Sequence, residues 1–214
     1  KCPEVASVKY TNRGQSGCTT VDYLPDTNTL SRGPYVLPIN LRMRLGRIWY
    51  SLLWLGTNDS AIEGTEAAGG APERYYENMK TIINRLLALY PNCRIVVHRP
   101  LWYSPNTYNG AKYLEEGLRR LQDYYPQIQR LVDYYASHFP GQVFLGDTKG
   151  FDYFKENHLT DFQAEKGNAG VFYLHPNEKG AVRLGELWSE AIRQALGFDL
   201  YKKAMPSQED DMAF

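Results

Sequence analysis

Residues 48–55 form a short run rich in Trp, Tyr, Leu and Ile, and this run ends abruptly at the loop Gly56-Thr57-Asn58-Asp59. A strand that is apolar on both faces is typical of a parallel sheet covered by helices. Ligands of such sheets bind beyond the carboxyl ends of the strands, where this loop would lie. Because Gly, Asn and Asp are also ordinary turn formers, the stretch alone predicts either a turn or part of an active site.

Strand-like and helix-like segments alternate along the chain. The strand-like runs lie at 5–10, 48–55, 94–98 and 143–145. Apolar residues at helical spacing cover 37–45, 72–90, 110–138 with an interruption near Pro126, and 182–196. Loops are predicted over 24–35 and over a stretch of about 25 residues before Phe172, which is unusually long for a compact domain. The alternation predicts an α/β fold with a parallel, doubly wound sheet and right-handed crossovers.

The size and charge of the chain restrict its function. The chain has 214 residues, of which 43% are hydrophobic, so it can bury one sizeable core. We therefore predict a single domain over 1–204 and a frayed acidic tail over 205–214. Lys plus Arg and Asp plus Glu both number 24, so no overall field favours nucleic acid or an anionic membrane. An uncharged small-molecule or glycan ester is compatible with this balance.

No segment is marked for membrane insertion, export or metal binding. No apolar run approaches the roughly 20 residues of a membrane span, and the chain contains no signal peptide. It begins with Lys1 rather than Met, so we expect that a segment upstream was removed. The three cysteines, Cys2, Cys18 and Cys93, lack metal-ligand spacing, and no cofactor or metal is expected. Oligomeric state cannot be predicted.

The stretch 12–22 is predicted to form a glycine turn between a strand and a helix. Thr19 or Thr20 can cap the helix, and Asp22 favours its N-terminus. Gly17 would then present a bare backbone N–H at a helix N-terminus, a position that stabilises anions, although an ordinary βα turn also uses glycine. Cys18 follows it, where a thiolate would be favoured, but a small buried residue needs no function.

The end of the run 94–98 and the loop after it carry further candidate residues. His98 closes the run 94–98, and a histidine there is more often hydrogen-bonded and structural than catalytic. The loop after it carries Trp102, Tyr103 and Tyr108, which together with Tyr173 are candidates for contacting substrate.

Three separate blocks, in this order and at these intervals, resemble the second, third and fifth sequence blocks of the SGNH (GDSL-like) hydrolases. They are Asn12-x-Gly14-x-Ser16-Gly17, Gly56-Thr57-Asn58-Asp59 and His175-Pro176-Asn177-Glu178-Lys179-Gly180. The resemblance spans about residues 5–196. It implies a serine esterase with a flavodoxin-like, three-layer α/β/α fold, and family habit implies a secreted or periplasmic location.

The resemblance also assigns roles to these blocks. Gly17 would give a backbone N–H and Asn58 a side-chain N–H to an oxyanion hole, and His175 would be the general base. A donor fixed where negative charge develops contributes a factor of about 10²–10³ in rate, and an amide donates without adding a charge. Gly56 and Asp59 would support the loop, because a carboxylate there can accept nearby backbone N–H groups.

Two departures from the family pattern affect the mechanism. The family's first block, a Gly-Asp-Ser motif that ends a central strand and carries the nucleophile, is absent from these 214 residues. Gly146-Asp147-Thr148 is similar but follows the last strand, and we interpret it as coincidence. Without the missing strand its neighbours would expose apolar surface, so either a segment precedes this chain or another segment fills the gap.

The second departure is that the family commonly has Asp three residues before the histidine, where this chain has Phe172. A triad Asp fixes the imidazole tautomer and stabilises the imidazolium. A backbone carbonyl, Glu165 or Asp161 could orient His175 instead, and the sequence does not choose between them.

These features lead to two hypotheses. The first is a serine esterase that removes small acyl groups, above all acetyl, from a carbohydrate; acyl transfer to another sugar would use the same acyl-enzyme. The alternative is a non-catalytic glycan-binding relative that has lost the nucleophile.

Overall fold

The computed structural model describes residues 8–12, 14–25, 40–43 and 49–197. The predicted tail over 205–214 and most of the predicted loop over 24–35 lie outside these ranges. In chain order the elements are β1 (Val8–Thr11), β2 (Asn40–Met43), β3 (Trp49–Leu53), α1 (Pro72–Leu89), β4 (Cys93–Val97), α2 (Leu114–His138), β5 (Val143–Leu145), α3 (Gly150–Asp161), β6 (Glu165–Gly167), β7 (Gly170–Phe172) and α4 (Glu178–Ala195). Short 3₁₀ turns cover Val21–Tyr23 and Asn58–Ser60.

Strands β1 to β5 form one sheet in sequential order, and β6 and β7 form a separate hairpin. Strands β3, β4 and β5 are parallel, with Leu53 opposite Val97 and Val97 opposite Leu145. This part confirms the predicted α/β fold. Strand β2, in contrast, pairs antiparallel with both β1 and β3, so the sheet is mixed.

The prediction of a helix over 37–45 was wrong for its described part, since Asn40–Met43 is strand β2. Its backbone pairs with β1 on one side and with Tyr50 and Ser51 of β3 on the other. Pairing on both edges therefore outweighs the local apolar pattern. Strand β2 thus lies between β1 and β3, so a segment of this chain occupies at least part of the gap expected in the sheet.

Helices cover both faces of the sheet, which gives the predicted three layers. Leu53, Ile95 and Val97 share a buried core with the apolar sides of α1 and α2. Trp54 and His98, whose side chains alternate to the opposite face, contact Trp188 of α4 with ring centroids 5.2 and 4.2 Å apart. None of the helices in the described ranges is long and apolar enough to cross a membrane.

Helix α1 has the bounds and the inward face that its sequence predicts. Pro72 occupies the first turn, where its missing N–H costs nothing. The buried residues follow the three-and-four spacing and pack against α2, as in the parallel stack of Tyr75 on Tyr124 at 4.3 Å.

Helix α2 starts later than predicted and is not interrupted. It begins at Leu114 rather than near Gly110, and it continues through Pro126 to His138. The carbonyl oxygen of Thr107 accepts hydrogen bonds from the backbone N–H groups of both Tyr113 and Leu114. These bonds hold residues 107–113 as a compact loop ahead of the helix.

The stretch before Phe172 is structured, in contrast to the predicted long loop. The Asp147 carboxylate accepts hydrogen bonds from the N–H groups of Lys149 and Gly150, which starts α3, and Phe151 and Phe154 bury that helix. Strands β6 and β7 follow as a hairpin whose turn ends at Gly170, with φ +93°. This hairpin leads directly to His175.

Candidate active site

The loop after β3 depends on Gly56. Its φ of +127° is a conformation that residues with a Cβ rarely adopt. A Cβ there would also lie 3.0 Å from Cγ of Pro100 and 3.2 Å from Cε2 of Tyr75. The chain can therefore turn tightly at the end of β3 and place Asn58 in the following 3₁₀ turn.

The side-chain amide of Asn58 is held from two sides. Its Nδ2 donates a hydrogen bond to the carbonyl oxygen of Cys18 at 2.9 Å, and the Tyr113 hydroxyl donates to its Oδ1 at 2.8 Å. A carbonyl oxygen can only accept, so the bond to Cys18 fixes which end of the amide is the nitrogen. The second N–H of Asn58 has no partner within the described ranges, and an oxyanion donor needs such a free N–H.

Gly17 lies in a β-turn and not at the start of an α-helix, which corrects the sequence prediction. The turn runs from Gln15 to Cys18, closed by a hydrogen bond from the Cys18 N–H to the Gln15 carbonyl at 3.3 Å, and Gly17 has φ +81°. Only the three-residue 3₁₀ turn Val21–Tyr23 follows. Gly17 is exposed, and no helix dipole supports its N–H.

The Cys18 thiol is not activated. Burial raises the pKa of Cys18, and the nearby charge of Asp22 raises it further. A neutral thiol at half-buried Cys18 agrees with the structural interpretation of this residue.

Asp59 ties the Asn58 loop to the loop that carries Gly17. Its carboxylate accepts the backbone N–H of Thr20 at 3.0 and 3.1 Å and also the Thr20 hydroxyl. Burial raises the pKa of Asp59 to about 6, against the opposing effect of these hydrogen bonds. The Tyr124 hydroxyl donates to the Asp59 backbone carbonyl at 3.0 Å. The two loops are thus fixed to each other and to helix α2.

His175 follows the β6–β7 hairpin, with its side chain 56% exposed. Its Nδ1 lies 2.9 and 3.0 Å from the two carboxylate oxygens of Glu165. Because this contact occupies Nδ1, Nε2 is the ring nitrogen left to exchange a proton. No hydrogen bond joins His175 to Gly17 or Asn58, all of which lie in the described ranges.

Of the three candidates for orienting His175, the structure places Glu165 at the ring. Glu165 is paired directly with Phe172 across the hairpin, so both side chains leave the same face. Phe172 itself is buried in the core. The carboxylate missing at position 172 is therefore provided from the neighbouring strand.

Asp161 is engaged elsewhere. Its buried carboxylate lies 2.6 Å from Nζ of Lys179 and accepts hydrogen bonds from the hydroxyls of Tyr153 and Thr160 at 2.8 and 2.7 Å. These contacts join the start of α4, through Lys179, to α3, through Tyr153. Asp161 does not contact His175.

The predicted aromatic contacts divide into accessible and buried residues. Tyr103 is fully buried and its hydroxyl contacts Oγ of Ser60 at 2.9 Å, so its side chain is not on the accessible surface. Trp102 is only 7% exposed and packs on Phe162 and His158, which leaves little of it to a ligand. Helices α2 and α3 cover this part of the sheet edge. Tyr173 remains half exposed.

His98 has a structural environment. It is fully buried, its Nδ1 accepts the backbone N–H of Asp147 at 3.0 Å, and burial lowers its pKa to about 3. Gly146 is required beside it, because a Cβ there would lie 2.7 Å from Nδ1. The string Gly146-Asp147-Thr148 thus packs on His98 and lies just before α3, whose first N–H groups it binds through Asp147.

A small cavity of about 40 Å³ lies beside the carboxyl half of β3. Its lining includes Gly14, Tyr23, Leu52, Leu53 and Leu55. This volume is enough for one water molecule or a small side chain. The cavity lies between β3 and Gly14 of the predicted glycine turn. It is next to the loops that carry the two predicted oxyanion donors, Gly17 and Asn58.

Tyr113 could not be identified from the sequence. This residue is separated from Asn58 by 55 positions, and no local pattern marks a tyrosine before a helix as a partner of a distant amide.

Comparison with known proteins gives one family. The model of the GDSL-like Lipase/Acylhydrolase family matches residues 3–183. Among solved structures, the chain is similar to a protein from Parabacteroides merdae described as a GDSL-like lipase, with a TM-score of 0.47 and 16% identity over 69% of this chain. The chain spans 60% of the length of that protein. No curated protein matches.

Proposed function

Because the chain belongs to the GDSL-like lipase/acylhydrolase family, we propose that it is a serine esterase that removes small acyl groups, acetyl above all, from a carbohydrate. In this proposal His175 is the general base, Glu165 orients it, and the N–H groups of Gly17 and Asn58 form the oxyanion hole. The reaction class rests on the family. The roles of Gly17, Asn58 and His175 rest on the resemblance to the family, and that of Glu165 rests on its contact with His175.

The observation that carries the proposal is the contact between His175 and Glu165. Both carboxylate oxygens lie within 3.0 Å of Nδ1, so the proton of a neutral ring is held there and Nε2 is free to accept another. When a serine hydroxyl attacks the ester carbonyl, Nε2 takes the hydroxyl proton and later returns it to the leaving alcohol. Water then attacks the acyl-enzyme by the same route.

The developing negative charge would be met by two N–H groups that are fixed in advance. Asn58 is bonded to the Cys18 carbonyl, and Cys18 directly follows Gly17. The two donors are therefore parts of one braced unit. Such preorganised donors stabilise the tetrahedral intermediate without having to move during the reaction.

We place the serine hydroxyl at the cavity beside β3. The 214 residues contain no Gly-Asp-Ser string. The cavity adjoins the carboxyl half of β3 and Gly14, and ligands of parallel sheets bind beyond the carboxyl ends of the strands.

The carbohydrate preference is supported by the balanced charge and by Tyr173. This half-exposed aromatic ring lies two residues before His175. Ligand sites commonly combine aromatic side chains with a few polar groups that orient the ligand.

The proposal is tested on the protein as its natural host makes it. Its intact mass and N-terminal peptides would first show whether it carries a Gly-Asp-Ser segment. Hydrolysis of 4-nitrophenyl acetate and of an acetylated oligosaccharide is then measured for the wild type and for Asn58→Ala and His175→Ala. We expect kcat to fall by about 10²–10³ for Asn58→Ala and at least as far for His175→Ala.

His138→Ala is the matched control. His138 is exposed near the end of α2, bonded to the Tyr134 carbonyl, and outside the site. Unchanged rates in both site variants would refute the esterase proposal.

A second candidate function is glycan binding without hydrolysis, which the missing Gly-Asp-Ser string favours. Binding of an acetylated oligosaccharide by the complete natural chain, without turnover, would support it. Any hydrolysis that depends on His175 would exclude it.

A further inference from the structure

Asn58 uses nearly all of its hydrogen-bonding capacity within the protein. One N–H goes to the Cys18 carbonyl, Oδ1 accepts from Tyr113, and its backbone carbonyl accepts from the Thr65 hydroxyl at 2.9 Å and from the Ala61 N–H at 3.3 Å. The terminal torsion of an asparagine is soft and has no sharp minimum. A single contact to Cys18 would leave the amide plane free to rock, so the bond from Tyr113 is what fixes it.

Tyr113 is itself held firmly. It is buried, and its ring packs edge-on against Tyr103 with centroids 5.3 Å apart. Its backbone N–H and that of Leu114 both donate to the Thr107 carbonyl, at 3.2 and 3.1 Å. Burial, with the charge of Asp59 adding to it, raises the pKa of Tyr113 to about 12, so the hydroxyl stays protonated and donates.

The backbone beside Tyr113 is strained. Leu114 has φ +53°, in the left-handed region that side chains with a Cβ rarely adopt. Such strain persists only where the surrounding contacts enforce it, and it is often found at functional sites. Here the enforced conformation lies at the first residue of helix α2, directly after Tyr113.

The same loop also holds the segment that leads to His175. The Thr107 hydroxyl donates to the Ser104 carbonyl at 2.6 Å. Ser104 in turn donates its N–H to the Tyr173 carbonyl at 2.9 Å, and its Oγ accepts the Tyr173 N–H at 2.8 Å. Residues 104–113 therefore connect the oxyanion donor Asn58 to the strand end two residues before the general base.

We propose that Tyr113 is a positioning residue for ester hydrolysis, whose hydroxyl fixes the amide plane of Asn58 so that its free N–H points at the developing oxyanion. This inference rests on the proposed function. Tyr113 does not touch the substrate and acts only through Asn58. Its loss should therefore lower kcat and leave KM unchanged, because the affected interaction exists only in the transition state.

The test compares Tyr113→Phe, Asn58→Ala and the double variant in the complete natural enzyme, with 4-nitrophenyl acetate as substrate. We expect Tyr113→Phe to lower kcat about 3–30-fold, less than the loss of the donor itself. The double variant should be no slower than Asn58→Ala alone, because Tyr113 has no amide left to orient. Replacing Tyr113 by 4-aminophenylalanine, which keeps a donor at the same place, should restore kcat.

Tyr135→Phe is the matched control. Tyr135 is another buried tyrosine of the α1–α2 interface, and its hydroxyl bonds to Asn84 at 2.6 Å and to the Lys80 carbonyl at 3.1 Å. It should lower the melting temperature without changing kcat. Melting temperatures measured for all variants separate a folding defect from misorientation, and the 4-aminophenylalanine variant decides the matter if Tyr113→Phe does not fold.

The outcomes distinguish the positioning role of Tyr113 from the proposed esterase function. If Asn58→Ala slows turnover while Tyr113→Phe retains the wild-type kcat, the role of Tyr113 is refuted and the esterase proposal stands. Losses that multiply in the double variant also refute it, because Tyr113 would then act independently of Asn58. If Asn58→Ala has no effect, Asn58 is not an oxyanion donor and the role of Tyr113 is refuted with it, whereas the esterase proposal fails only if His175→Ala has no effect either.

Discussion

Glu165 and Asp161 lie four residues apart, yet only Glu165 reaches His175. Asp161 is enclosed by Lys179, Tyr153 and Thr160, whereas Glu165 projects from the hairpin with its side chain 24% exposed. The difference comes from the pairing of the hairpin, which sets Glu165 opposite the position three residues before the histidine. A carboxylate from a different place in the sequence thus lies at the imidazole ring.

We expect Glu165→Gln to lower kcat by roughly 10²–10⁴, because an amide N–H in place of the carboxylate favours the wrong tautomer of His175. The measurement is steady-state hydrolysis by the complete enzyme.

Asp161→Asn is the control for Glu165→Gln. It breaks the ion pair with Lys179 and should lower the melting temperature while leaving kcat unchanged. A normal kcat in Glu165→Gln would show that another group orients His175.

At the scale of elements, the turn after β3 places the strictest requirement on residue type, because position 56 accepts only glycine without strain. Gly56→Ala must accept both a left-handed φ and close contacts with Pro100 and Tyr75. We expect it to destabilise the protein by about 2 kcal/mol or more and to slow hydrolysis, because Asn58 is displaced.

Gly185→Ala is the matched comparison. It lies within α4, where a Cβ would meet nothing within 4 Å, so it should stabilise the protein by about 0.5–1 kcal/mol. Urea unfolding of both variants checks the pair, and equal effects would contradict the assignment of strain to Gly56.

The elements that the sequence predicted well are those with strong local periodicity. Helices α1 and α4 and strands β3, β4 and β5 occur within a few residues of their predicted bounds. Strand β2 was missed because pairing with β1 and β3 determines it. The α3 helix and the hairpin were missed because a stretch without a long apolar period looks like a loop, although Phe151 and Phe154 at helical spacing were a usable signal.

For the molecule as a whole, two buried groups make stability depend on pH in opposite directions. His98 has its pKa lowered from 6.5 to about 3, so acidification below 6.5 protonates the unfolded chain first and stability falls. Asp59 has its pKa raised from 3.8 to about 6, so acidification below 6 protonates the folded chain first and stability rises. Between pH 4 and 6 the two effects oppose each other.

We expect His98→Gln to remove the stability loss that His98 causes on acidification, up to roughly 1.4 kcal/mol per pH unit. Its free energy of unfolding should therefore fall less, or even rise, as the pH drops from 6 to 4. Asp59→Asn should make the free energy of unfolding fall more steeply as the pH drops, because the stabilising protonation of Asp59 is lost. Urea titrations at several pH values measure both, with exposed His138→Gln as control, and parallel profiles for wild type and His98→Gln would refute the account.

Only those residues of the site that lie in loops with a recognisable sequence motif could be predicted. The glycine turn, Asn58 and His175 were each identifiable from their blocks, whereas their roles remain proposals. Tyr113, Ser104 and the contact of Thr20 with Asp59 could not be predicted, because each depends on a contact made across many residues of sequence. The burial of Tyr103 could not be predicted for the same reason, because it depends on contacts with Ser60 and Tyr113.

The contact of Trp188 with Trp54 and His98 gives this protein an optical signature. Two indoles at 85° and 5.2 Å should couple their electronic transitions and produce a strong near-ultraviolet circular dichroism signal. A charged imidazole quenches indole emission, but His98 stays neutral until strongly acidic pH. Trp102 packs on another histidine, His158, so the measurement uses a Trp102→Phe variant. The emission of Trp54 and Trp188 should then remain constant through the pH range in which an ordinary histidine titrates, and a change there would report that the rings have separated.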